Sequence, residues 1–117
     1  MVSQTGEVFV TEIGSRMGGD FIGSDLVRLS TGYDFVRGVI EVALGRFFGV
    51  KYGEKHCSGV WFYSPDTLKV KEIVEHKPRH PWIVQSEIHE NELNPLTRSA
   101  DRAGYFIYQS NQRINLE

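Results

Sequence analysis

What most constrains this chain is a change in the spacing of its apolar residues near Gly53. Between Phe21 and Leu44 they recur every three or four positions, as on a helix with one buried face. From Cys57 onward they recur at every second position, as on a strand with one face turned inward. A helical stripe and a pleated face each need an apolar partner, and here each can serve the other. The pattern predicts an α+β fold: a mostly antiparallel sheet with two helices on one face, and a small β-rich C-terminal lobe.

The first half opens on Glu7-Val8-Phe9-Val10-Thr11-Glu12-Ile13, a predicted strand dense in β-branched and aromatic residues. A glycine-rich stretch, Gly14 to Asp20, with Asp20 read as a helix-start residue rather than a catalyst, separates it from a helix over Phe21 to Ser30 marked by Ile22, Leu26 and Leu29. Thr31-Gly32 ends that helix, with Gly32 suited to a left-handed cap. Asp34 begins a second helix, as N-cap or as first-turn negative charge. Its stripe is Val36, Val39, Ile40, Ala43 and Leu44, and Gly45 closes it.

In the second half, Val60 to Tyr63 reads as a strand and Ser64-Pro65-Asp66 as a turn, with Leu68 to Glu75 the hairpin partner. Two prolines keep His76 to Pro81 in a loop. Trp82 to Ile88 and Gly104 to Tyr108 complete the strands. Residues 1–53 thus form one part, and residues 54–115 a β-rich lobe packed on it. Leu116-Glu117 has the look of a cloning scar and is set aside. A strand near each extremity, with no neighbouring element beyond it, makes the chain read as a piece of a larger fold.

Composition narrows the possible partners. The 117 residues carry 13 Lys and Arg against 15 Asp and Glu, a net charge of −2. That is not the basic footprint of a nucleic-acid binder, nor of a protein drawn to an anionic membrane surface. No apolar run approaches the roughly 20 residues of a membrane span. The single Cys57 has no internal disulfide partner. A reducing, cytoplasmic setting is the expectation.

Chemistry is concentrated between Glu12 and Asp20. A carboxylate at a strand end suits Mg²⁺, which takes a few oxygen ligands alongside substrate phosphates. Arg16, four residues on, offers a planar fork for phosphate or carboxylate. Gly18-Gly19 lets backbone amides approach an anion ahead of a helix N-terminus. Against this stands the plainer reading, a strand-to-helix connection with a surface ion pair.

Three separated motifs carry a resemblance: Glu12-Ile13-Gly14-Ser15-Arg16-Met17-Gly18-Gly19-Asp20, then Leu29-Ser30-Thr31-Gly32-Tyr33-Asp34, then Ala43-Leu44-Gly45. In this order and at these intervals they resemble the C-terminal part of ATP-grasp ligases. Asp101-Arg102-Ala103-Gly104-Tyr105 is similar to the closing β segment of the biotin-carboxylase-like and amino-acid-ligase-like branches. The resemblance implies a C-terminal portion of an ATP-dependent carboxylate–amine ligase working through an acyl phosphate, inactive alone. Glu12 would be a Mg²⁺ ligand bridging nucleotide phosphates, and Arg16 would contact the acyl phosphate or substrate carboxylate. Gly18 and Gly19 would shape the loop at the cofactor. ATP, Mg²⁺ and a small carboxylate or amine substrate would be partners of the full-length parent. Where the family usually has a second metal-binding Asn, this chain has Gly14, as in the L-amino-acid-ligase branch. The family's other metal-binding carboxylate and its ATP-binding lysines would lie upstream of Met1.

Other features read as structural. His76 and His80 are four apart, but Pro78 removes the helix that would put them on one face. Glu87, Glu90 and Glu92 lack the ordered alternation of a calcium loop. Cys57 reads as a small packed side chain, and Trp61, Phe62, Tyr63, Tyr105, Phe106 and Tyr108 as alternating sheet faces. The competing function is a non-enzymatic β-rich interaction or oligomerisation module, with homodimer formation expected through an unpaired first strand.

Overall fold

The computed structural model describes residues 1–14, 16–89 and 93–116. Ser15, Glu90, Glu92 and Glu117, four positions named above, lie outside the described residues. The fold is α+β. A π-helical turn, Ile22–Leu26, runs directly into α1 (Val27–Thr31), and α2 (Phe35–Ala43) follows. Then come β1 (Cys57–Tyr63), α3 (Lys69–Glu75), β2 (Ile83–Ile88) and β3 (Gly104–Ser110). Short 3-10 turns occupy Lys77–Arg79 and Ser99–Asp101.

The three strands form one antiparallel sheet in the order β1-β3-β2, so the last strand lies in the middle. The alternation in the sequence divides its side chains cleanly. Tyr63, Ile83, Phe106 and Tyr108, with Trp61 and Trp82 beside them, form a core with Val70 of α3. Val60, Phe62, Tyr105 and Ile107, from alternate positions of β1 and β3, meet Leu29 of α1 together with Phe21 and Leu26. Phe106 and Val70 are fully buried. On the α1 face, Ser58 Oγ donates to the Leu26 carbonyl at 2.9 Å and Gln109 Nε2 to the Leu29 carbonyl at 2.7 Å. One backbone carbonyl at the N-cap of α1 and one in its last turn thus accept from sheet side chains.

Register is set partly by glycine. Gly59 stands opposite Tyr108, and a Cβ there would come within 2.7 Å of the Tyr108 ring. Gly32, at φ 73°, caps α1 in the left-handed conformation and passes so close to Gly53 that a Cβ would lie 2.8 Å from its Cα. Asp34 proves to be the N-cap of α2, its Oδ1 accepting from the Arg37 amide at 2.9 Å.

Three expectations are corrected. Leu68 to Glu75 is not a hairpin strand; Lys69–Glu75 is helix α3. Val70, Ile73 and Val74 fall at i, i+3 and i+4 and turn inward together, whereas Leu68 is left exposed. The Thr67 hydroxyl donates to the Phe62 carbonyl at 2.5 Å and accepts from the Ser64 amide, closing β1 before the helix begins.

Glu7 to Ile13 is not a strand either. Among the described residues its one sheet-like contact is an isolated antiparallel bridge between Val2 and Val8, and its apolar side chains are exposed. Strand propensity needs a neighbouring strand to take up the backbone amides and carbonyls, and among the described residues no strand lies alongside.

Nor do two helices share one face of the sheet. α3 covers one face and α1 the other, while α2 leans on the π-helical turn. The lobe read as β-rich thus contains a helix at its centre. Leu116, set aside with Glu117, packs against the α3-side core and its carbonyl accepts from Lys69 Nζ at 2.7 Å.

Candidate functional site

The loop singled out in the sequence runs from the exposed arm to the π-helical turn. Glu12 is exposed on that arm. Arg16 is exposed as well, its guanidinium donating to the Met17 carbonyl at 3.2 Å. Among the described residues no hydrogen bond or ion pair joins Glu12 to Arg16. Gly18 fits against Ile22, where a Cβ would meet the isoleucine side chain at 3.2 Å. Gly19 has open space around its Cα, and its carbonyl accepts from the Ile22 amide at 3.0 Å. Gly18 is thus small because of a neighbour, whereas Gly19 leaves room on the solvent side.

The loop is fastened at its far end by residues that the sequence reading gave other roles. Asp20 does not start a helix; its Oδ1 accepts from Arg102 Nη1 at 2.7 Å. That guanidinium lies 3.9 Å from the centre of the Phe62 ring. The Phe21 ring packs on Tyr105, centroids 4.6 Å apart, and stacks at longer range on Phe62. Tyr105 in turn accepts from Gln85 Nε2 at 2.6 Å. Asp20 and Arg102 are 82 residues apart, and no local pattern links them. The segment Asp101-Arg102-Ala103-Gly104-Tyr105, singled out in the sequence for its resemblance alone, supplies Arg102 and Tyr105 to this fastening.

Clefts lie elsewhere among the described residues, two of them beside β1 and α2. One of about 530 Å³ runs along the start of β1 and is lined by His56, Cys57, Gly59, Trp61, Tyr108 and Arg113. The other, about 260 Å³ and mostly apolar, is formed by Tyr33, Phe35, Val39, Val42, Phe47 and Val50 on α2 and the segment after it. Glu12, Arg16, Gly18 and Gly19 belong to neither. The histidines are dispersed: His80 packs on Trp82 at 5.0 Å, His89 lies 3.3 Å from Glu87, and His76 Nδ1 is 2.9 Å from the Glu72 carbonyl. Among the described residues no three potential metal-ligating side chains of His, Cys, Asp or Glu come together. None of the helices among those residues is long and apolar enough to cross a membrane.

Set beside known proteins, the chain matches no family model, and no curated protein or solved structure is significantly similar to it.

Proposed function

We propose that this chain is the C-terminal portion of an ATP-dependent carboxylate–amine ligase working through an acyl phosphate, and that it is inactive alone. The observation that supports this reading is the arm from Val8 to Ile13. Its apolar side chains stand in solvent, Ile13 at 89% exposure, with no strand beside them among the described residues. A β-branched apolar segment of that kind has the chemistry of an inner strand whose neighbours come from another lobe. Glu12 lies near its end, at the mouth of a loop with Arg16 and two glycines.

In this reading Glu12 contributes one oxygen donor to Mg²⁺ and Arg16 orients the carboxylate being activated. Gly18 and Gly19 keep the loop backbone close to phosphate oxygens. A bound Mg²⁺ would neutralise charge on the phosphates during transfer. Glu12 would be this chain's one carboxylate donor, and the remaining ligands would come from phosphate, water and a lobe upstream.

The test is the reading frame upstream of Met1, followed by phosphate release from ATP by its product with Mg²⁺ and amino acids. An acidic strand, a glycine-rich loop and paired lysines are expected upstream. Glu12→Gln is expected to lower turnover about a hundred-fold or more. A stop codon directly upstream, or full activity of the variant, overturns the reading.

The second reading, an interaction or oligomerisation module, is favoured by a different observation. The outer side of α2 and the segment following it expose Ile40, Val42, Leu44 and Phe48. Homodimer formation through this face is proposed, with sedimentation at high concentration as its test. A chain that stays monomeric counts against it.

A further inference from the structure

We propose that Arg102 is the positioning residue for the Glu12–Gly19 loop, holding the pivot at Asp20 and Phe21 through which the loop joins the sheet. Both pivot residues have positive φ, 52° and 65°. Side chains other than glycine adopt that region at a cost, and two in succession persist only where their surroundings hold them there. The structure supplies two holds. Arg102 donates to the Asp20 carboxylate at 2.7 Å while its guanidinium lies over the Phe62 ring. Phe21 is held between that ring and Tyr105.

The pivot then redirects the chain. The Phe21 carbonyl accepts from the amides of both Asp25 and Leu26, each at 2.9 Å, and so opens the π-helical turn. Release of the Arg102 contact lets Asp20 and Phe21 relax toward ordinary dihedrals, and the direction of everything before them changes. Arg102 itself stands two residues before β3, so the loop's direction is referenced to the central strand. What the loop does rests on the ligase reading; that Arg102 holds it does not.

The experiment is site-resolved amide hydrogen exchange on the whole chain, reading Asp25 and Leu26 with the β3 amides as internal reference. Arg102→Ala is expected to speed exchange at Asp25 and Leu26 roughly ten-fold, the combined size of a part-exposed ion pair and a cation–π contact. Asp20→Asn keeps a side chain tolerant of positive φ and loses only the charge, with about a three-fold effect expected. It also reads the contact should Arg102→Ala fail to fold. Arg102→Lys is expected to stay within about three-fold of the native chain, because the charge remains. Unchanged exchange in both Arg102→Ala and Asp20→Asn overturns the proposal. So does a parallel rise in the β3 amides, which would make Arg102 a general stability residue. Failure of the ligase assay leaves these readouts untouched, so the two ideas fall separately.

Discussion

The sheet and the arm are built from the same kinds of residue and meet opposite fates. Val60-Trp61-Phe62 in β1 and Val8-Phe9-Val10 in the arm are both short runs of β-branched and aromatic side chains. The first is paired along its length with β3 and covered by a helix on each face. The second meets a single isolated bridge, and Val8 and Val10 stay about three-quarters exposed, at 77% and 75%. Local preference is equal in the two places. What differs is the presence of a neighbour to complete the backbone hydrogen bonds and of a helix to exclude water. Strand formation in this chain is therefore a tertiary event, decided by partners rather than by composition.

The largest effect should come from hollowing the covered side. Phe106→Ala removes a fully buried ring between Val70 and Trp82 and is expected to cost about 3–5 kcal/mol, read as a lowered denaturation midpoint. A loss below about 1 kcal/mol would mean that this core is looser than its burial implies. Gly104→Ala comes next: a Cβ there would lie 2.6 Å from the Glu87 carbonyl oxygen and 2.9 Å from Ile88 Cα. Both are backbone atoms of the neighbouring strand, so about 1–3 kcal/mol is expected, against nearly nothing for Gly19→Ala in the loop. Equal effects at the two glycines would erase the contrast between sheet and loop.

Acid should act next, and locally. The Asp101 carboxylate accepts from the Thr97 hydroxyl at 2.6 Å and from the Thr97 and Arg98 amides at 3.0 and 2.9 Å. The Thr97 bonds above all hold its carboxyl well below the usual carboxylate range. A group depressed in the folded state contributes stability that is whole above its unfolded value, near 3.9, and that fades as pH falls toward the folded one. The Thr97 and Arg98 amide resonances should therefore stay put at pH 4 and move only in stronger acid. A midpoint at the ordinary carboxylate value would sink this. The smallest effect on stability belongs to Phe48→Ser, at 96% exposure expected to stay within about 0.5 kcal/mol. If α2 mediates association, the same change should nonetheless shift the sedimentation profile.

Much of the sheet and the helical hairpin was legible. Gly32 as a left-handed cap, Asp34 as an N-cap and the alternating faces of β1 and β3 all follow from rules acting within a few residues. The two misread segments show where such rules stop. Leu68-Lys69-Val70-Lys71 alternates like a strand, and only Ile73 and Val74 betray the helical period. Glu7 to Ile13 carries strand preference that nothing nearby satisfies. At the candidate site, the residue types of the loop were legible, but its fastening was not. Asp20 resembled a helix start, and its partner lies beyond two strands in sequence.

Because β3 is the middle strand and follows both of its neighbours in the chain, β1 and β2 have no partner among the described strands until it is made. At ribosomal rates of about 5–20 residues per second, roughly 3–10 seconds separate the synthesis of Cys57 from that of Ser110. During that interval Trp61, Phe62 and Trp82 are exposed on a nascent chain whose sheet cannot close. Premature termination anywhere before Gly104 therefore leaves unpaired apolar strands open to aggregation and to quality control.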